Sequence, residues 1–305
     1  MLGKTPPTTR PPAGEMPIGI IGLGSMGGPL AHHLLRHHGS LTYVSSRDQA
    51  SLDALGSVRR PSVRELAAEC RSLIVLVPDL PDLTRNEGEL IAGASARPTG
   101  CDPLLLIICS TVSAEDVRAL QERLDTAHAP VRVVDAPVSG GEDGAKAGTL
   151  SIMLGGDYED CTRAAEVLKP CGTSTRLGPL GAGQVAKACN QLVVGATMFA
   201  LGEATVLAER SGIDVGAMWD LLGNGYASSR LLDTRKEKLV SGDDSPSGKI
   251  EYLLKDVRIG LEVAEATQTR AALLPELRAL LDELVNEAGL GQRDIAATKR
   301  FIAER

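Results

Sequence analysis

Short apolar runs alternate with helix-length segments over the first half of the chain. Between residues 17 and 178 the runs read I-G-I-I-G, L-T-Y-V, L-I-V-L-V, L-L-L-I-I-C, V-R-V-V-D, S-I-M-L-G and T-S-T-R-L. Apolar runs of this length, separated by helical patterns, are typical of βαβ units. We therefore predict a doubly wound, mostly parallel α/β sheet over residues 16–180.

The hydrophobic pattern changes after Gly183. Residues 184–210 are apolar, rich in alanine and leucine and free of proline, which predicts one long helix. Beyond it the chain shows only helical patterns, broken by loops at residues 223–229 and 241–248. The long helix is expected to join the sheet domain to an all-α C-terminal domain over residues 181–305.

Composition agrees with a two-domain globular protein. The chain has 305 residues, of which 43% are hydrophobic and 23% charged, and a single core rarely grows to that length. Aromatic residues make up only 2%, so the cores should be aliphatic. Residues 1–15 are rich in proline and threonine and show no period, which predicts a disordered tail.

Charge and cysteine usage exclude several classes of partner. A net charge of -7 argues against nucleic acid, whose phosphates require a basic patch. The six cysteines form no C-x-x-C pair, and we expect no metal site. No apolar run approaches the roughly 20 residues of a membrane helix, so we expect a cytoplasmic protein without a membrane partner.

The motif G-L-G-S-M-G follows the first predicted strand and opens a helix. In such a turn the first glycine permits the tight bend, the second admits a pyrophosphate and the third allows close packing. The sequence therefore predicts a Rossmann-type dinucleotide site. Its residues are Gly22, Leu23, Gly24, Ser25, Met26 and Gly27.

The end of the second strand is expected to select the cofactor. An acidic side chain there reads the ribose 2′-hydroxyl of NAD, whereas arginine accommodates the 2′-phosphate of NADP. The chain offers Ser45, Ser46 and Arg47 before Asp48. We predict NADP, bound by Ser46 and Arg47; the alternative is that Asp48 binds NAD and Arg47 is a solvated charge.

Polar side chains share one face of the predicted long helix. Lys187, Asn190 and Gln191 are spaced i, i+3 and i+4, and their neighbours are apolar or small. Partial burial would lower the pKa of a lysine towards the range useful for proton transfer. The alternative is a lysine whose stem covers a domain interface while its ammonium reaches water.

Motifs along nearly the whole chain resemble the β-hydroxyacid dehydrogenase family. These are G-L-G-S-M-G, D-A-P-V-S-G-G, G-A-G-Q-V-A-K-A-C-N-Q and K-D-V-R-I-G-L-E, in this order, over residues 17–300. The family includes 3-hydroxyisobutyrate dehydrogenase and tartronate semialdehyde reductase. Four motifs in sequence are far more specific than any one of them.

The resemblance implies roles for particular residues. It makes Lys187 the general acid/base, lets Asn190 hold the substrate oxygen, and places Lys255 near the cofactor and the acid end of the substrate. Ser139, Gly140 and Gly141 would bind the carboxylate, because glycines without side chains let backbone N-H groups converge on an anion. Loops after the third and fourth predicted strands would border the nicotinamide, through Val77, Pro78 and Thr111.

The expected activity is hydride transfer between NADP(H), or NAD(H), and a small β-hydroxy acid or semialdehyde. Two rivals are an imine reductase, which typically lacks the catalytic lysine, and a catalytically silent NADP-binding module. The resemblance also implies a homodimer or homotetramer. Candidates for the far wall of the substrate pocket are Trp219, Asn224, Tyr226 and Arg230, with core packing as the favoured role of Trp219.

Overall fold

A mostly parallel sheet forms the N-terminal part of the protein. The computed structural model describes residues 16–45, 49–78 and 84–305, so the predicted tail at residues 1–15 lies outside it. The first elements are β1 (Ile18–Ile21), α1 (Gly27–His38), β2 (Leu41–Val44), α2 (Ala50–Asp53), β3 (Val58–Arg59), α3 (Val63–Glu69), β4 (Ser72–Val75), α4 (Glu87–Ser95), β5 (Leu104–Ile108), α5 (Ala114–Thr126) and β6 (Val131–Asp135). Strands β1 to β6 pair in parallel in the order β3-β2-β1-β4-β5-β6.

The sheet continues past β6 with a change of direction. Its next elements are β7 (Val138–Ser139), α6 (Gly141–Ala147), β8 (Leu150–Gly155), α7 (Tyr158–Leu168) and β9 (Gly172–Gly178). Strand β8 runs antiparallel to β6 and β7, and β9 pairs in parallel with β8. Every predicted strand is present, whereas β3 and β7 were not predicted.

The remainder of the described chain is helical. Its helices are α8 (Ala182–Arg210), α9 (Val215–Leu222), α10 (Arg230–Ser241), α11 (Ile250–Ala266), α12 (Leu273–Asn286) and α13 (Thr298–Glu304). The predicted long helix is thus confirmed, and it begins two residues earlier than expected. The predicted loops separate α9 from α10 and α10 from α11. The division into domains at residue 181 stays a prediction.

Aliphatic side chains fill both faces of the sheet. All five residues of β5 are buried, with Leu105 and Ile107 in the core on one face and Leu104, Leu106 and Ile108 in the core on the other. This alternation is what period-2 side chains produce in a strand covered on both sides. A third core, which includes Met198, Leu281 and Phe301, lies among the helices. The expected fold class is confirmed.

Helix α8 also has the length and composition of a membrane span, although no apolar run in the sequence was long enough to predict one. Its most apolar window has a mean hydropathy of 1.5, and 44% of that window is buried inside the protein. Length and composition of this kind are equally typical of the core helix of a soluble protein. Here Met198 and Leu201 of α8 pack into the helical core.

Candidate functional site

The turn between β1 and α1 can hold a dinucleotide. Gly22 has a φ of +95°, and a Cβ there would lie 2.2 Å from the carbonyl oxygen of Leu76. A Cβ on Gly27 would lie 1.8 Å from the carbonyl oxygen of Gly22, whereas one on Gly24 would meet nothing within 4 Å. Strand and helix therefore pack in close contact beside an open stretch of backbone, which is the geometry that admits a pyrophosphate.

The three residues between the glycines of this turn differ in burial. Ser25 is exposed, while Leu23 and Met26 are partly buried against the sheet core. No described side chain caps the N-terminus of α1, and its first turn holds no acidic residue. Ser46 and Arg47 lie outside the described residues, so their role in choosing the cofactor stays a prediction.

The loops after β4 and β5 lie side by side at the carboxyl edge of the sheet. The Val77 N-H donates to Ser110 Oγ at 2.9 Å, and Pro78 is exposed beside it. The buried Gln184 of α8 accepts from the Val112 N-H at 3.1 Å and donates to the Ser110 carbonyl at 2.9 Å. Helix α8 is thereby fixed to the loop that carries Thr111.

Asp135, at the end of β6, holds the first turn of α8. Its Oδ1 accepts from the Gly181 N-H at 2.7 Å and its Oδ2 from the Gln184 N-H at 2.8 Å. The side chain is fully buried, and burial raises the pKa of Asp135, while the backbone hydrogen bonds from Gly181 and Gln184 oppose that rise. A Cβ on Gly183 would lie 2.7 Å from Oδ2, so this contact requires glycine.

About two turns further along α8, Gln191 lies at the centre of a hydrogen-bonded cluster. Its Oε1 accepts from Lys187 Nζ at 3.2 Å and from Asn190 Nδ2 at 2.9 Å. Its Nε2 donates to Asp256 Oδ2, on α11, at 2.7 Å. The predicted helix face therefore carries its polar groups together, and Asp256 joins them from another helix.

The cluster extends to both sides of the site. Ser139 Oγ donates to Asn190 Oδ1 at 3.5 Å. On the other side, Asp256 Oδ1 lies 3.3 Å from Lys255 Nζ, which also donates to the Thr111 carbonyl. A continuous series of polar contacts thus joins β7, α8, α11 and the loop after β5.

The segment beside Ser139 leaves its backbone open. Gly140 has a φ of +133° and Gly141 a φ of +63°, conformations that side chains disfavour. A Cβ on Gly141 would meet nothing within 4 Å, whereas one on Gly140 would lie 3.1 Å from a methyl carbon of Leu150. The two glycines therefore leave their backbone uncovered directly after Ser139, which contacts Asn190.

Burial governs the electrostatics of Lys187. Its side chain is 8% exposed. Desolvation lowers the pKa of Lys187 below its ordinary value of 10.5; Asp256 opposes this shift and Lys255 adds to it. A lysine with a lowered pKa holds and releases a proton nearer to neutral pH, as acid/base chemistry requires.

The candidates for the far pocket wall have different surroundings. Trp219 is buried, and its Nε1 donates to Thr205 Oγ1 at 3.1 Å, which agrees with core packing. Asn224, Tyr226 and Arg230 are exposed around the loop between α9 and α10. Within the described part of the chain, none of these three residues forms a hydrogen bond with Lys187.

Three of the four histidines of α1 form hydrogen bonds with backbone carbonyls. The His33 ring nitrogen Nε2 lies 3.0 Å from the Lys146 carbonyl oxygen, and His32 Nδ1 lies 2.9 Å from that of Gly28. Across residues 16–45, 49–78 and 84–305, no group of three or more His, Cys, Asp or Glu side chains is placed to hold a metal ion.

Two residues of the site lie in the quoted motifs but received no role from the sequence. Asp135 is the first residue of the motif D-A-P-V-S-G-G, yet its partners are 46 and 49 positions away. Asp256 forms an ion pair with its neighbour Lys255, but its bond to Gln191 spans 65 positions. Only the fold brings these groups together.

Comparisons with known proteins identify the family. Residues 17–185 match the NAD binding domain of 6-phosphogluconate dehydrogenase, and residues 181–302 match the NAD-binding domain of NADP-dependent 3-hydroxyisobutyrate dehydrogenase. The 2-hydroxy-3-oxopropionate reductase of Escherichia coli is 31% identical over 82% of this chain and 85% of its own.

Solved structures extend the likeness to three dimensions. The 3-hydroxyisobutyrate dehydrogenase of Mycobacterium tuberculosis with L-serine superposes with a TM-score of 0.81, at 27% identity, over 94% of this chain and 99% of its own. An imine reductase from Myxococcus stipitatus, with a TM-score of 0.61 and 16% identity over 94% of this chain and 99% of its own, shares the fold alone. The chain belongs to the β-hydroxyacid dehydrogenase family and is an NAD(P)-dependent oxidoreductase that acts on CH-OH donors.

Proposed function

We propose that this enzyme interconverts a small β-hydroxy acid and its semialdehyde, of the 3-hydroxyisobutyrate or tartronate semialdehyde kind, with NADP(H) preferred to NAD(H). The observation that carries the proposal is the buried Lys187, bonded to Gln191 beside Asn190 and Ser139. The names of the relatives in Escherichia coli and Mycobacterium tuberculosis support this substrate class.

Lys187 is the general acid/base of the proposed reaction. An ammonium has three N-H donors, and Gln191 takes one of them, so donors remain for a substrate oxygen. In reduction Lys187 Nζ gives its proton to the oxygen that gains charge as the carbonyl is reduced. In oxidation neutral Lys187 accepts the hydroxyl proton.

Asn190 and the glycine segment position the substrate. Asn190 holds the oxygen that exchanges its proton with Lys187, and Gln191 fixes the orientation of both side chains. The substrate carboxylate binds the Ser139 hydroxyl and the open backbone of Gly140 and Gly141. Holding the acid end sets the distance between the reacting carbon and Lys187.

The cofactor is held by the sheet side of the site. Gly22, Gly24 and Gly27 take the pyrophosphate, and the loops with Val77, Pro78 and Thr111 border the nicotinamide. When bound, the nicotinamide donates the hydride in reduction and accepts it in oxidation. Lys255, bonded to the Thr111 carbonyl, lies on this border.

NADP is preferred because arginine follows the second strand. Ser46 and Arg47 supply hydroxyl and guanidinium donors for the 2′-phosphate, and Asp48 comes only after them. Michaelis constants for NADPH and NADH test this choice directly. A tenfold preference for NADH would overturn it.

The enzyme is proposed to act as a cytoplasmic homodimer or homotetramer. Val193 and Leu207 of α8 are 64% and 62% exposed, and large exposed apolar side chains on one helix support association of copies. Light scattering of the purified protein measures the assembly, and a monomer at working concentration would contradict it.

The activity is tested with a panel of short semialdehydes and both reduced cofactors. Turnover is followed by the loss of nicotinamide absorbance. Lys187→Met should lower kcat by about 10² to 10⁴ fold, the range for acid/base groups, while the Kd of NADP⁺ stays within about twofold. Lys146→Met, which changes an exposed lysine, is the matched control.

Rival activities give different results in the same assay. A catalytically silent module would oxidise no cofactor with any semialdehyde, while still binding NADP⁺. An imine reductase would consume NADPH with cyclic imines and not with semialdehydes. Unimpaired turnover of Lys187→Met would remove the proposed role of that lysine.

A further inference from the structure

An arginine on the unpredicted strand β3 reaches the end of β2. Arg59 Nη2 donates to the carbonyl oxygen of Ser45 at 2.6 Å. Strand β3 pairs in parallel with β2, with Arg59 opposite Tyr43, so both strands end at the same edge of the sheet. The guanidinium of Arg59 therefore lies where the chain leaves β2.

The neighbouring Arg60, unlike Arg59, forms an ion pair with a carboxylate. Arg60 Nη2 lies 2.7 Å from Glu69 Oε2, and its Nε donates to the same oxygen at 2.8 Å. Arg59 has no ion pair with a carboxylate of the described residues, and its side chain is exposed. Of the two adjacent charges, only Arg59 is available to a ligand.

The end of β2 is where a dinucleotide site reads the adenosine ribose. Arginine has five N-H donors in a planar fork, and the Ser45 carbonyl takes one of them. The remaining donors can form charge-assisted bonds with phosphate oxygens. The contact with Ser45 also limits the motion of the long side chain, so less conformational entropy is lost on binding a phosphate.

A nearby carboxylate is already engaged. Asp53 Oδ1 accepts from the Tyr43 hydroxyl at 2.7 Å and from Ser57 Oγ at 3.3 Å. These bonds hold its Oδ1 against the strand that precedes Ser45. Of the described side chains at this edge, Arg59 is thus the one that offers N-H donors of a cation to a ligand.

We propose that Arg59 is a specificity-determining residue that binds the 2′-phosphate of NADP(H) beside Ser45. The proposal rests on the preference for NADP stated above, and it assigns to β3 a residue that reads the cofactor. Arg59 contributes binding energy to the phosphorylated cofactor and almost none to NAD(H), which lacks the phosphate.

The proposal is tested by binding, without turnover. Titration calorimetry measures the Kd of NADP⁺, NAD⁺, adenosine 2′,5′-bisphosphate and adenosine 5′-monophosphate for the unmodified enzyme and for Arg59→Gln. Loss of one charge-assisted contact should weaken NADP⁺ and the bisphosphate about tenfold. NAD⁺ and the monophosphate should change less than about twofold.

Two further variants control the result. Arg132→Gln removes an exposed strand arginine on β6, five strand spacings or roughly 24 Å across the sheet, and should leave all four constants unchanged. Arg59→Lys keeps the charge without the planar fork and should recover part of the affinity. Melting temperatures of the variants show that they are folded.

The outcomes separate the two proposals. If Arg59→Gln leaves the ratio of the NADP⁺ and NAD⁺ constants unchanged, the role of Arg59 is overturned, whichever cofactor the unmodified enzyme prefers. Equal weakening of both cofactors also overturns it, because Arg59 would then act on the loop at Ser45. If the unmodified enzyme binds NAD⁺ more tightly yet the ratio shifts in Arg59→Gln, the preference for NADP fails and the role of Arg59 stands.

Discussion

Among single residues, Gln191 links the groups on which the proposed chemistry depends. Its Oε1 accepts from Lys187 and Asn190, and its Nε2 donates to Asp256. Replacing it with leucine keeps the approximate volume and removes all three bonds. The lysine then loses the acceptor that orients its ammonium.

We expect Gln191→Leu to lower kcat by about tenfold or more, since hydrogen bonds to charged groups contribute roughly 1.5–3 kcal/mol. The Kd of NADP⁺ should stay unchanged, because the described contacts of Gln191 are with Lys187, Asn190 and Asp256 and not with the glycine turn. Steady-state kinetics and calorimetry measure both quantities. Gln292→Leu, at an exposed position, is the control, and an unchanged kcat in Gln191→Leu would show that Lys187 needs no such partner.

The lowered pKa of Lys187 gives the two directions of reaction opposite pH dependence. Reduction uses the protonated form, so its kcat/KM should fall as pH rises through a pKa that lies below 10.5. Oxidation uses the neutral form, so its kcat/KM should rise over the same window. Profiles with saturating cofactor measure both limbs.

The same profiles in Lys187→Met isolate the lysine. Both limbs should flatten as overall activity drops. A midpoint that persists in the variant would assign the titration to another group.

The same lowered pKa affects folding stability. Because desolvation lowers the pKa of Lys187 in the folded state, the unfolded chain binds more protons than the folded chain between that pKa and 10.5. The contribution of Lys187 to the free energy of unfolding therefore increases with pH in this window.

At the scale of elements, the N-terminus of α8 is held by Asp135, which lies at the end of strand β6. Asp135 accepts from the N-H groups of Gly181 and Gln184. In Asp135→Asn one oxygen becomes an amide that faces a donor instead of accepting from it. We expect the free energy of unfolding to fall by about 2 kcal/mol, within the range for a lost hydrogen bond to a charged group.

Denaturant unfolding and kcat measure this change together. Asp157→Asn is a matched control, because Asp157 precedes α7 without a side-chain cap. Lys187 lies in the second turn of α8, directly after the turn that Asp135 holds, so kcat should fall as that first turn loses stability. A variant as stable as the control would mean that burial of the charge cancels its hydrogen bonds.

Strands that were predictable from sequence are those with enough residues to show a pattern. Strand β5 reads as a continuous apolar run because both of its faces are covered. Strands β3 and β7 have two residues each, and both residues of β3 are exposed. These two strands form because the backbone of a neighbouring strand pairs with them, and such pairing produces no hydrophobic pattern in the sequence. The sequence analysis therefore assigned no role to Arg59.

In the whole molecule, Lys255 connects the helices to the sheet. Its Nζ donates to the Thr111 carbonyl, 144 positions away in sequence. Lys255→Met should weaken NADP⁺ binding and lower kcat, because the loop after β5 loses its bond to α11. Calorimetry and kinetics check this, with Lys249→Met as the control at a half-buried lysine directly before the same helix. Unchanged values would leave Lys255 as a partner of Asp256 alone.

The α/β part, the helical part and the long helix α8 could be predicted from the sequence, because each shows a local hydrophobic periodicity. The sequence also indicated that Lys187, Asn190 and Gln191 share a helix face. What it could not indicate is which distant groups meet them. The bonds from Gln191 to Asp256 and from Gly181 to Asp135 depend on how helices cross the sheet edge, and that is decided by packing of the whole chain.

The uninterrupted course of α8 has a mechanical consequence. At 1.5 Å per residue its 29 residues form a rod of roughly 44 Å. A tilt of about 5° at the end gripped by Asp135 would swing the opposite end by roughly 4 Å. A small rearrangement beside the loop that carries Thr111 would thus become a displacement of several ångström at the opposite end, where a distance probe attached near Arg210 would detect it.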